Sequence, residues 1–272
     1  MQIASIEDVE LAYRTGGDEG HDPALLIHGY TGNLRNWALT VPALVKAGYY
    51  TLCADSPGHG ESAAPDSFEP YALHNVARVL HTLAEGLDAC PGIVIGHSMG
   101  GAIAEEYAIQ FSEDVRALVL IGSAGGASGP EREDLSADME ALRAAHDEGG
   151  MGAVFDLQVE NGKRPEAAQT SAQRRALLRR EFERTSFAGY EFGALALRTR
   201  HETLNDLARL TCPTLIVHGE QEDPRLIQVS RDLLDSIPGA RLEVIEGAGH
   251  SPQFETPDAF NGVLLDFLRS LR

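Results

Sequence analysis

The chain has 272 residues, 43% hydrophobic and 23% charged, which fits an ordinary globular fold large enough to bury a sizeable core. Its net charge of −19 argues against partners built on phosphate backbones or anionic membrane surfaces. Three cysteines, Cys53, Cys90 and Cys212, are too few for a disulfide framework and lack zinc-ligand spacing. They read as buried structural thiols in a reducing compartment. The N-terminus has no basic stretch followed by an apolar one, and no apolar run approaches the ~18 residues that cross a bilayer. The expectation is a cytoplasmic monomer or homodimer with no membrane and no nucleic-acid partner.

In chain order, Gln2 to Ser5 and Val9 to Arg14 read as an edge hairpin. Short apolar runs follow at Ala24 to His28, Tyr49 to Asp55, Gly92 to Gly96, Arg116 to Gly122, Pro213 to Gly219 and Arg241 to Glu246. They do not alternate polar with apolar, as expected of strands covered on both faces. Amphipathic stretches lie between them at Trp37 to Ala47, Tyr71 to Gly86, Met99 to Phe111, Leu226 to Ser236 and Pro257 to Leu271. Strands alternating with helices predict a doubly wound, mostly parallel α/β sheet.

Ser123 to His201 breaks the pattern with helix-like sequence only. An insertion of ~80 residues between two strands is a cap, not a crossover. The expected division is a core of residues 1–122 and 202–272 with a helical cap over 123–201. GGASGPERED reads as its flexible entry. Arg174, Arg175, Arg179, Arg180 and Arg184 crowd one cap helix, which reads as a solvated basic face.

The chemistry is concentrated in IVIGHSMGGAIAEEYA. Gly96, Ser98 and Gly100 form G-x-S-x-G between a strand and a helix, the context of a nucleophile on a tight turn. The glycines give the space that such a turn needs. A serine needs a base, and that base an orienting acid. His250, on the Gly-rich loop after the last strand, is placed to reach back over the strand ends. The acid is expected after PTLIVHG, where Glu220, Glu222 and Asp223 stand.

With His28-Gly29-Tyr30-Thr31-Gly32, Asp55-Ser56-Pro57-Gly58-His59-Gly60-Glu61-Ser62, Gly96-His97-Ser98-Met99-Gly100-Gly101 and Gly249-His250 in this order, the chain resembles the α/β-hydrolase superfamily over essentially its whole length. The resemblance implies an eight-stranded sheet, a cap after the sixth strand, and no cofactor or metal. It implies an oxyanion hole from the backbone N–H groups of Tyr30 and Met99. It places the acid three residues after Gly219, which gives Glu222, or just before the proline, which gives Asp223. Asp223 is preferred, because a short side chain before Pro224 is easily held. The expected triad is Ser98, Asp223 and His250. The Asp55 stretch reads as a structural turn and Trp37 as core.

Serine at the nucleophile position disfavours relatives that use aspartate there. It implies acyl transfer through an acyl-enzyme, and hence a small carboxylic ester or lactone as substrate. Carbon–carbon bond hydrolases and a menaquinone-pathway synthase share the frame. The first usually carry Asn before the serine and Trp after the histidine, where His97 and Ser251 stand. The second carries Arg where Ala102 stands. A hydrolase-like small-molecule receptor is the non-enzyme alternative.

Overall fold

The computed structural model describes residues 1–126, 136–164 and 170–271. The expected flexible entry therefore falls outside the described residues from position 127 onward.

The strands are β1 (Gln2–Ile6), β2 (Val9–Gly16), β3 (Asp22–Ile27), β4 (Tyr49–Ala54), β5 (Ile93–His97), β6 (Ala117–Ile121), β7 (Thr214–Gly219) and β8 (Arg241–Ile245). They form one eight-stranded sheet in the order β1-β2-β4-β3-β5-β6-β7-β8. β2 pairs antiparallel with β1 and β4, and all other pairs are parallel. The strand order reverses around β3, so the loops after β3 and β5 flank the crevice where such sheets build their sites.

Alternate residues explain the continuous apolar runs. Leu25, Ile27, Leu52, Val94, Leu118 and Ile216 enter one core with α2 (Leu73–Gly86) and α3 (Met99–Gln110). Leu26, Cys53, Ile95, Val119 and Val217 enter a second core on the opposite face. That face is covered by α1 (Val41–Lys46) and the C-terminal helix Pro257–Arg269. Trp37 is fully buried in the second core. Cys53 and Cys212 are buried as expected, but Cys90 is exposed.

Two helix boundaries depart from the sequence reading. Trp37 to Ala47 is not one helix. A 3-10 turn at Leu34–Trp37 precedes α1, because Pro42 at the start of α1 suits a helix beginning and not a helix interior. The helix expected from Leu226 begins two residues earlier, at Pro224.

Between β6 and β7 lie α4 (Ser136–Glu160), α5 (Ala172–Phe182), α6 (Phe187–Thr199) and α7 (Leu204–Leu207). α4 breaks at Gly149 and Gly150, whose dihedrals are non-helical. Leu142, Met151, Val154, Phe155, Phe182 and Tyr190 give these helices a small core of their own. The arginines of α5 are more than a solvated face. Arg175 and Arg179 pair with Asp156 on α4, and Arg184, just past the end of α5, pairs with Glu61 in the loop after β4. No described helix is long and apolar enough to cross a membrane.

Candidate active site

Ser98 is the residue that turns β5 into α3, with φ 54° and ψ −117°. A side-chain-bearing residue at this φ is strained, and such strain persists only where surroundings enforce it. They do so here. A Cβ on Gly96 would lie 2.1 Å from the Gly100 carbonyl oxygen, and one on Gly100 would lie 2.2 Å from that of Ile27. The chain therefore packs against itself on both sides of the serine. The Ser98 amide donates to the Ile121 carbonyl at the end of β6, 2.8 Å away.

The loop after β8 carries His250 toward the same place. Its Nδ1 lies 2.8 Å from Oε2 of Glu222. A Cβ on Gly122, next to Ile121, would fall 2.8 Å from that carboxylate oxygen and 3.2 Å from His250 Nδ1. The pair thus closes over the strand end that also holds the Ser98 amide. The Glu222 side chain is 2% exposed and that of His250 41%; the acid is locked in while the imidazole stays accessible. The other oxygen of Glu222 accepts the Asp223 amide at 2.8 Å.

Asp223, the acid expected from the sequence, is not the carboxylate hydrogen-bonded to His250. Its carboxylate turns away to Arg225, accepting the backbone amide at 2.8 Å and the guanidinium at 2.7 and 3.0 Å. It is the N-cap of α8 (Pro224–Ser236). The hydrogen bonds from Arg225 hold its carboxyl down at about 2. A short side chain ahead of proline is indeed held rigid, but by the helix it starts.

His97, which the sequence analysis gave no part in the site, also holds the His250 loop. It precedes Ser98, and its Nε2–H donates to the His250 carbonyl at 2.8 Å. Burial, then the neighbouring His250, lowers its pKa to about 3, so it stays a neutral donor.

Two buried groups organise the facing loops. His28 donates from Nδ1 to the Gly29 carbonyl and accepts the Ser56 amide at Nε2, both at 2.9 Å. Burial lowers its pKa to about 4. Asp55 accepts the Leu34 amide at 2.6 Å and the Glu61 amide at 3.0 Å, so the Asp55 stretch ties the loop after β3 to its own turn. Among the described residues, neither the Tyr30 nor the Met99 amide has an acceptor within the protein. Gly29, next to Tyr30, lies so close to Ser98 that a Cβ there would meet the serine Cβ at 3.0 Å.

The helices between β6 and β7 approach this end of the sheet. The Ser186 amide donates to the Gly58 carbonyl at 2.8 Å. The Tyr30 hydroxyl donates to the Tyr190 carbonyl on α6 at 2.7 Å. A cavity of about 190 Å³ opens between α4 and α6, lined by Leu142, Leu157, Gln158, Lys163 and Tyr190, with Tyr30 reaching it from the loop after β3.

The family profile described as the alpha/beta hydrolase fold matches residues 22–257. A monoacylglycerol lipase of Xenopus laevis is 26% identical over 286 residues, spanning 100% of this chain and 83% of the relative. A carboxylesterase structure from the thaumarchaeon Nitrososphaera gargenis superposes with a TM-score of 0.83 at 24% identity, covering 99% of this chain and 98% of that one. A hydrolase from Pseudomonas aeruginosa superposes with a TM-score of 0.81 at 26% identity, covering 98% and 97%.

Proposed function

Since the chain belongs to the α/β-hydrolase fold family, we propose that it is a serine hydrolase that cleaves a small carboxylic ester or lactone through Ser98, His250 and Glu222. One observation carries the reading: a strained serine at the β5–α3 turn shares the end of β6 with a histidine hydrogen-bonded to a buried glutamate. The lipase relative points toward ester substrates.

In this reading Nδ1–H of His250 donates to Glu222, which fixes the tautomer and leaves Nε2 free to take the Ser98 proton. The Ser98 oxygen attacks the acyl carbon. Charge then develops on the carbonyl oxygen, where the N–H groups of Tyr30 and Met99 donate to it; each such donor is worth ~3–4 kcal/mol in the transition state. Met99 opens α3, so the helix dipole favours the same charge. His250 returns the proton to the leaving alcohol. Water, deprotonated by the same imidazole, releases the acid and restores Ser98. Glu222 offsets the imidazolium charge in each half-reaction. α4, α5 and α6 belong to the cap expected over 123–201, and the cavity between α4 and α6 receives the variable part of the substrate.

The test is a panel of short-chain esters and lactones with purified wild type and Ser98→Ala, together with fluorophosphonate labelling. Turnover and label at Ser98, both lost in the variant, are expected. Near-wild-type turnover by Ser98→Ala overturns the reading. A single slow turnover followed by tight product retention points to a receptor.

A further inference from the structure

The loop that presents the Tyr30 amide has a second set of attachments, and they lead into the cap. The Tyr30 hydroxyl donates to the Tyr190 backbone carbonyl at 2.7 Å, across 160 residues of sequence. The two rings lie 5.4 Å apart. Next in the chain, Thr31 has φ 58°, a left-handed conformation that a β-branched residue rarely adopts. Its Oγ1 accepts from the Arg164 guanidinium at 3.2 Å, and that guanidinium sits 4.4 Å over the Phe182 ring. Two residues on, Asn33 Nδ2 donates to Glu181 of α5 at 3.2 Å. A strained segment of four residues is thus fastened to the cap at three points.

We infer that Tyr30 and Thr31 are positioning residues through which the cap sets the Tyr30 N–H in place for the developing oxyanion. This rests on the serine-hydrolase reading and deepens it: the cap makes the site competent as well as covering it. A donor stabilises charge fully only when held where the oxyanion forms, and small misplacements are costly. Within the loop, the Gly32 N–H to Gly29 carbonyl hydrogen bond closes the turn, and His28 and Asp55 fasten its two ends at Gly29 and Leu34, which leaves the tilt of the middle of the loop to its contacts with the cap. The side-chain hydroxyls of Tyr30 and Thr31 supply those contacts. The further consequence is that any cap movement that breaks them weakens catalysis before it exposes the serine.

The experiment compares Tyr30→Phe, Thr31→Val and the double variant with wild type. Tyr30→Phe removes only a hydroxyl and Thr31→Val exchanges one for a methyl of similar size, so all are expected to fold. Three readouts are taken: kcat and KM on p-nitrophenyl acetate, an ester too small to need the cap; the second-order rate of fluorophosphonate labelling of Ser98; and Tm. Tyr30→Phe is expected to lower kcat and the labelling rate together by about tenfold, part of the ~10²–10³-fold that losing a donor costs. KM stays within about twofold and Tm falls by no more than the few degrees that one lost hydrogen bond costs. Thr31→Val lowers the same two quantities by less. Unchanged kcat and labelling in both variants overturn the inference while wild-type labelling leaves the hydrolase reading standing. A loss confined to KM also overturns it, because the tyrosine hydroxyl would then be a substrate contact. Absence of wild-type labelling at Ser98 defeats the hydrolase reading itself, and the inference with it.

Discussion

His250 Nδ1 meets Oε2 of Glu222 at 2.8 Å, while Asp223, one residue further along, is bound to Arg225. Two adjacent carboxylates in one loop therefore have separate tasks, one on the imidazole and one on the start of α8. Glu222→Gln keeps the shape but offers an amide in place of the acceptor. Its NH2 can force the imidazole into the wrong tautomer. The expected loss in kcat is ~10³–10⁴-fold at neutral pH. Asp223→Asn retains a capping oxygen and is expected to keep kcat within a few fold, with a stability loss of about 1 kcal/mol or less. Steady-state kinetics of the two variants, side by side, decide the assignment; the opposite ranking would restore Asp223 to the imidazole.

What the sequence made legible follows from which forces act locally. The parallel strands were readable because Leu25 to Ile27 and Val94 to Ile95 are buried on both faces, and such burial writes itself as an unbroken apolar run. The Ser98 turn was readable because its glycines answer to short-range sterics. The carboxylate partner of His250 was not, because the backbone direction after Gly219 decides which of two neighbouring side chains faces inward. A local signal did exist: Asp223 followed by Pro224 is a helix start, with N-cap and N1 in order. Read that way, Asp223 was already committed and Glu222 was free. His97 gave no local sign, since its partner carbonyl is 153 residues away. α6 was hidden too. Gly189 and Gly193, which lower helix propensity, sit where the helix presses on Gly58 and on the Tyr30 ring.

Asp55 predicts a stability effect. It is the acceptor for two buried or half-buried amides, those of Leu34 and Glu61. Asp55→Ala leaves both without a partner, at a cost of ~1–3 kcal/mol for each buried donor. Asp55→Asn is expected to be nearly as damaging, because it offers only one acceptor oxygen and turns an NH2 toward the other amide. Urea unfolding of the two variants measures this. Full stability in Asp55→Asn would show that one of the two hydrogen bonds is dispensable.

Glu105 lies on α3, fully buried, and reaches both ends of the cap. It accepts Ser123 Oγ–H at 2.7 Å beside the exit from β6. On the return side it accepts Thr203 Oγ1–H at 2.7 Å and, back near the exit, the Gly126 amide at 2.8 Å. Burial pushes its carboxyl pKa up. Glu105→Gln can keep every bond, with the amide oxygen accepting from Thr203 and Gly126 and the NH2 donating to Ser123 Oγ. A change of about 1 kcal/mol or less is expected. Glu105→Ala strands three donors and is expected to cost ~3 kcal/mol or more, with faster proteolytic cleavage around residues 123 and 203. Equal stability of the Ala and Gln variants would sink the view that this carboxylate clasps the cap.

The buried histidines predict how stability depends on pH. His28, His59 and His97 have pKa values lowered by burial to about 4, about 3 and about 3. An unfolded histidine titrates near 6.5. As pH drops through that value, the unfolded chain takes up protons that the folded one refuses. Each histidine therefore removes stability at ~1.4 kcal/mol per pH unit, from about pH 6.5 down toward its folded value. Asp55, Glu105 and Glu106 act the other way, because burial raises them and the folded state keeps protons that the unfolded state releases. The net slope is thus smaller than three histidines alone would give, and a single substitution isolates one contribution. His59 is suited to this: Nδ1–H donates to the Pro57 carbonyl at 2.9 Å, while Nε2 is buried and has no partner among the described residues. His59→Asn keeps a donor near the Nδ1 position and removes the titrating ring. The variant is expected to be less stable than wild type at pH 7, from the cavity left behind. Urea unfolding at pH 7, 6 and 5 should then show the gap closing as pH falls, by up to ~1.4 kcal/mol per unit below 6.5. A gap that stays constant would mean that His59 takes up its proton in the folded state as readily as in the unfolded one.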